Sequence, residues 1–119
     1  MSIESPTVVR GTKFDWDHEI QVALPAHYGV TPERRYPVLW LTDGPMLFHL
    51  AVGLLDTFVP GGLAPEMIVV GVGSPSEAGL AEFSRRRAIE FCPSGASMLH
   101  DGPGAVWAES IGPKDNPPG

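Results

Sequence analysis

The sequence holds one cysteine, Cys92, in 119 residues, so it can close no internal disulfide and supply no multi-cysteine metal site. Cationic side chains are scarce: eight Lys and Arg stand against fourteen Asp and Glu, a net charge of −6. A chain this acidic repels phosphate backbones, which argues against general nucleic-acid binding. No apolar run approaches the ~18 residues that a membrane-spanning helix needs. The opening MSIESPTVVR lacks the basic start and apolar stretch of a secretory signal. The expected location is therefore cytoplasmic, with no membrane partner. The four histidines, His18, His27, His49 and His100, show neither H-x-x-x-H nor H-E-x-x-H spacing, so no metal site is expected. Gly71-Val72-Gly73 begins like a dinucleotide loop. Ser76 stands where its third glycine belongs and Pro75 intrudes, so no nucleotide cofactor is expected. The absence with the widest consequence is of G-x-S-x-G. Ser74 is flanked by Val72 and Ser76, Ser94 by Cys92 and Ala96, and Ser97 by Gly95 and Leu99. No catalytic residue is expected on this chain.

What is present reads as globular. Hydrophobic residues make up 43% and charged residues 18%, too apolar for a disordered chain. The length suits one domain, which buries roughly two thirds of its unfolded surface at this size. Fourteen glycines and thirteen prolines are unevenly spread. Ten of them fall between Cys92 and Gly119, where no sustained period appears and GPKDNPPG can hold neither helix nor strand. The expected division is a folded part over residues 1–92 and an irregular tail over 93–119, with at most a short helix at Ala105–Ile111.

Thr7–Phe14 predicts a weak first strand. In Trp16–Leu24 the residues Trp16, His18, Ile20, Val22 and Leu24 alternate with Asp17, Glu19, Gln21 and Ala23, which predicts a strand with one apolar face. The two are close enough to pair antiparallel. Tyr36–Thr42 is apolar without alternation from Pro37 to Leu41, as in a strand buried on both faces, and halts at Asp43-Gly44-Pro45. Met46–Phe58 carries Leu47, Leu50, Ala51, Leu54, Leu55 and Phe58 at helical spacing, and Pro60-Gly61-Gly62 stops it. Glu66–Gly73 predicts a second buried strand. Strand, helix, strand makes a crossover between parallel neighbours. The class is α/β: an N-terminal antiparallel hairpin followed by a parallel βαβ unit. Beyond Gly73 the chain reads as loop, with a helical turn at Glu77–Phe83.

Ligands of open α/β sheets gather at the carboxyl ends of parallel strands. That places Asp43, Gly44, Gly73 and Ser74 at the favoured positions. Asp43 also suits the cap of the following helix. Arg85-Arg86-Arg87 could hold an anionic group, but more often such a run pairs locally, here with Glu82 and Glu90. Cys92, beside Pro93, has no activator beyond these arginines.

Four segments in order resemble the opening half of an α/β-hydrolase of the esterase type, the group with enterochelin-esterase-like and esterase-D-like enzymes. They are Val22-Ala23-Leu24-Pro25-Ala26-His27-Tyr28, Tyr36 to Gly44 (YPVLWLTDG), Pro65 to Gly73 (PEMIVVGVG), and the arginine-rich segment ending Phe91-Cys92-Pro93. The resemblance implies a partial hydrolase sheet that ends before the nucleophile elbow, taken from a serine carboxylic-ester hydrolase acting on a small ester. The part by itself would be inactive. The resemblance also implies that the loop after the third strand offers a backbone N–H to the oxyanion, a contribution of about 3–4 kcal/mol in related cases. Pro45 has no N–H, which leaves Gly44 or Met46 as donors, with Asp43, Gly73 and Ser74 on the substrate side. In such a sheet the Pro37–Leu41 strand is central. Here it becomes an apolar edge through which the chain could self-associate, and an interaction module pairing through that edge is the alternative reading.

Overall fold

The computed structural model describes residues 1–13 and 16–91. They fall in two compact units, Met1–Pro75 and a second that begins at Ser76. The first is a five-stranded mixed sheet with one helix. Its strands are β1 (Ser2–Ile3), β2 (Thr7–Arg10), β3 (Asp17–Leu24), β4 (Val38–Leu41) and β5 (Ile68–Gly73), with helix α1 (Gly44–Phe58) between the last two. The strand order is β1-β3-β5-β4, and β2 shares with β1 the remaining edge of β3. β3 runs antiparallel to β5, with Gln21 opposite Gly71 and Glu19 opposite Gly73. β4 and β5 are parallel, with Leu41 opposite Gly71. This is the α/β class expected, an antiparallel N-terminal part joined to a parallel βαβ unit.

Several boundaries differ from expectation. The first strand is shorter, Thr7–Arg10, and Ser2–Ile3 adds a strand that composition does not signal. Two residues are too few for any period, and β1 is held by Leu24 and Ala23 of β3. α1 begins two residues early, because Pro45 suits a first helical turn, where no N–H is needed. It ends as expected. Gly62 takes φ 73°, and the Leu63 N–H reaches the Phe58 carbonyl at 2.9 Å.

The faces are corrected more deeply. On β3 the buried residues are Glu19, Gln21 and Ala23, not the apolar set Ile20, Val22 and Leu24, which is half-buried. Ala23 packs in one core with Phe48, Val52, Leu55 and Val69, so α1 covers the face that carries the two polar residues. On α1 the buried stripe is Phe48, Val52 and Leu55, with Ala51 packed beside it, while Leu47, Leu50, Leu54 and Phe58 are exposed. The helix is apolar almost all round, so spacing alone admits more than one stripe. The choice is made by Gly71, where a Cβ would stand 3.2 Å from Phe48 Cβ and Cδ2. The missing side chain leaves the hollow that Phe48 fills.

β4 is not buried on both faces. Among the described residues it pairs with β5 alone, and Trp40 is 68% exposed and Val38 41%. It is the apolar edge that the resemblance implies.

The second unit is also corrected. Where a loop with one helical turn is expected, a 3₁₀ turn at Ser76–Ala78 leads into α2 (Gly79–Glu90), twelve residues long. Leu80, Ala81, Glu82 and the three arginines are good helix formers, and Glu82 pairs with Arg85 and Arg86 at i+3 and i+4 spacing. The expected Ala105–Ile111 helix and the 93–119 tail lie outside the described residues.

Candidate functional site

Parallel pairing of β4 with β5 brings two strand ends side by side: Thr42-Asp43-Gly44-Pro45 after β4, and Gly73-Ser74 after β5. Asp43 is left-handed, with φ 56° and ψ 41°, the one non-glycine residue of positive φ among those described. Such a conformation costs roughly 1 kcal/mol or more and persists only where its surroundings enforce it. Asp43 does occupy the helix cap, but its side chain makes no capping bond. Its carbonyl does the work instead, accepting the Met46 N–H at 3.0 Å and the Leu47 N–H at 3.1 Å.

That assignment decides which donor is left. The first four N–H groups of a helix lack intrahelical partners. With Asp43 at the cap they belong to Asp43, Gly44, Pro45 and Met46, because the bond from the Leu47 N–H to the Asp43 carbonyl is already the first intrahelical one. Pro45 has none, and the Met46 N–H is engaged by the Asp43 carbonyl. Of the two candidate donors, Gly44 and Met46, Gly44 therefore keeps the N–H not committed to that carbonyl. A left-handed residue followed by right-handed helix turns successive N–H groups toward a common point, and the helix dipole adds positive potential there.

The turn is held against β5 by absent side chains. A Cβ on Gly73 would stand 2.7 Å from Pro45 Cδ and 3.0 Å from the Gly44 nitrogen. One on Gly44 would stand 3.1 Å from the Gly71 carbonyl carbon, the Val72 nitrogen and Gln21 Oε1. Gly44 and Gly73 are thus close-approach positions.

Two buried polar side chains beside this turn escape sequence reasoning. Glu19 and Gln21, 8% and 7% exposed, read as the solvent face of an alternating strand. Their partners across the ladder, Gly73 and Gly71, were the available signal. Glu19 has interaction partners, whereas Gln21 Oε1 is buried and without a hydrogen-bond partner among the described residues. Ser74, 7% exposed, likewise keeps a buried, unpartnered Oγ.

The remaining candidates do other work. His27 Nδ1 lies 2.8 Å from Glu66 Oε1, and Arg34 Nη2 lies 2.8 Å from Glu66 Oε2. The His27 hydrogen bond, more than the charges of His27 and Arg34, holds the Glu66 carboxyl below the usual carboxylate range. The cluster ties the polar connection after β3 to the residues that lead into β5. His18 lies on β3 opposite Val9, and the His49 ring meets Phe48 edge-on at 5.3 Å. Arg85 and Arg86 both bond Glu82, at 2.8 and 2.7 Å, and these bonds, Arg85 first, bring its carboxyl down to about 2. Arg87 stacks over the Phe91 ring at 5.3 Å. The arginine run is thus locally engaged, with Glu82 as the partner expected. Among the described residues no three of His, Cys, Asp and Glu group as metal ligands, and no helix is long and apolar enough to cross a membrane. Cys92 and His100 lie outside the described residues.

A mixed sheet with a βαβ unit and a helix starting at its strand ends defines a partial α/β fold. The sequence matches the putative esterase family over residues 11–90, and the chain belongs to that family. It is similar to the BES protein from Bacillus cereus, at 26% identity and a TM-score of 0.61, over 87% of this chain and 37% of that one. It is similar also to the siderophore hydrolase EstB from Aspergillus nidulans, at 26% identity and a TM-score of 0.55, over 73% and 31%. The siderophore hydrolase EstA from Aspergillus nidulans shares the fold at 21% identity and a TM-score of 0.66, over 98% and 35%. The chain thus spans about a third of the length of each of these structures. No curated protein sequence matches it.

Proposed function

We propose that this chain is the N-terminal part of a serine carboxylic-ester hydrolase acting on a small ester in the cytoplasm, and that Gly44 donates its N–H to the developing oxyanion. Membership of the esterase family gives the chemistry. The observation that carries the residue assignment is the donor accounting at α1, where Pro45 has no N–H and Met46 bonds Asp43, so Gly44 is favoured over Met46. Asp43, Gly73 and Ser74 line the substrate side of the same turn. The nucleophile comes from sequence outside these residues, since none of the serines sits in an elbow. Transition-state charge is stabilised by preset backbone donors, and acyl transfer needs in addition a serine with its base.

Two measurements test this. Reading the source gene through and past codon 119 should reveal G-x-S-x-G in frame, followed by an acid and a histidine; a frame without them overturns the reading. The purified chain should hydrolyse 4-nitrophenyl acetate no faster than buffer. Turnover lost on Ser74→Ala would show that the nucleophile lies in this chain after all.

The exposed edge favours a second reading, an interaction module that pairs through β4. Trp40 is 68% exposed on a strand that, among the described residues, pairs along one edge only, and its other edge invites another strand. On this reading the chain sediments as a dimer or larger at micromolar concentration, and Trp40→Lys shifts it toward monomer. A wild-type monomer under those conditions removes the idea.

A further inference from the structure

We propose that the Gln21 side chain is the second half of the anion site at Gly44: its amide turns over when an oxyanion arrives, so that Nε2 donates beside the Gly44 N–H. The inference rests on the reading of the Asp43–Pro45 turn as an oxyanion site and names a donor that the turn itself lacks.

Three observations converge on Gln21. It is 93% buried on the face of β3 that α1 covers, where neighbouring Ala23 packs in the apolar core. Its Oε1 has no hydrogen-bond partner among the described residues. And that oxygen is seated against the helix start, 3.1 Å from where a Cβ on Gly44 would stand. A buried acceptor without a partner is uncommon, and each one calls for a cause. Here the cause is electrostatic. The start of α1 carries the positive end of a fifteen-residue helix dipole. With no anion present, the partly negative amide oxygen is the best available occupant beside it.

An amide can exchange its oxygen and nitrogen by half a turn about one bond with no change in volume. The space that holds Oε1 therefore also holds Nε2, whose two N–H groups suit an oxyanion. The exchange gives Gln21 the role that Pro45 cannot fill. It also explains the glycine at 44. Gly44 keeps clear the volume into which the Gln21 side chain reaches, while Gly71, opposite Gln21 on the ladder, makes room for Phe48. The ligand class is a singly charged oxygen anion on a tetrahedral centre, which accepts from both donors. A neutral ligand gains nothing from the exchange, because it offers no charge to replace the amide oxygen.

The test uses the ¹⁵N-labelled 119-residue chain and dimethylphosphinate, a tetrahedral monoanion, titrated against sodium chloride at equal ionic strength. The Gly44 amide and the Gln21 side-chain NH₂ resonances should move together with one common Kd. Gln21→Met, close in volume but without an amide, should raise that Kd about tenfold, as for losing one hydrogen bond to a charged group. If the Gly44 resonance moves while the Gln21 NH₂ pair stays, or if Gln21→Met binds as tightly as wild type, Gln21 is only a spacer or the acceptor of a buried water, and the inference falls. If Gly44 itself does not move, the oxyanion reading of the turn falls, and this inference with it. Should Gln21→Met fail to fold, the two wild-type resonances decide.

Discussion

Phe48→Ala is expected to lower the free energy of unfolding by about 3–5 kcal/mol. The ring is wholly buried, 0% exposed, at the centre of the cluster formed with Ala23, Val52, Leu55 and Val69. Its removal loses the transfer free energy of six ring carbons and opens a cavity. The neighbours cannot relax into that cavity. Ala23 is too small to reach it, and Gly71, directly beneath, has no side chain at all. Domains of this size have roughly 5–15 kcal/mol in total, so the variant should be marginal at room temperature. A urea titration followed by far-UV circular dichroism measures the change. A loss below about 1 kcal/mol, against the range for buried phenylalanines, would show that α1 is not seated on β5 through this ring.

Gly73→Ala is expected to cost about 1–3 kcal/mol, the usual range for overpacking. It should also displace the Asp43–Pro45 turn. The new Cβ would stand 2.7 Å from Pro45 Cδ and 3.0 Å from the Gly44 nitrogen. The first is part of a closed ring and the second is backbone, so neither can swing aside as a flexible side chain would. Relief must come from moving the turn, which shifts the Gly44 N–H away from its place at the strand ends. The urea midpoint should fall and the Gly44 amide resonance should move with no ligand present. Gly53→Ala is the contrasting control. A Cβ there meets nothing within 4 Å in the middle of α1, and the substitution should stabilise by about 0.5–1 kcal/mol. If Gly73→Ala behaved like Gly53→Ala, the close approach of the turn to β5 would be refuted.

Much of this architecture can be read before any coordinates exist, and the reasons are local. The alternation from Trp16 to Leu24, the apolar run of Pro37–Leu41 and the breakers around Met46–Phe58 each state one element and its limits. The positions of Asp43, Gly44, Gly73 and Ser74 at strand ends follow from the order strand, helix, strand. The α2 helix reads in the sequence only as a turn at Glu77–Phe83, because its apolar residues are few and its stability comes from helix propensity and the Glu82 pairs, a signal that hydrophobic period does not carry.

By itself the sequence determined the class, the family resemblance and the candidate turn, since these depend on element type and order along the chain. Tertiary structure alone decided which faces are inside. Gln21 and Glu19 are buried because their face of β3 is the one that α1 covers, opposite Gly71 and Gly73, 50 and 54 positions away in the chain, and Phe48 is chosen over Leu47 by the gap at Gly71. It also decided the donor, because the left-handed turn of Asp43 sends its carbonyl to Met46 and Leu47 and leaves Gly44. Period fixes the spacing of side chains along one element. Which way that element faces is set by the shape of what it meets, and that is a property of pairs distant in sequence.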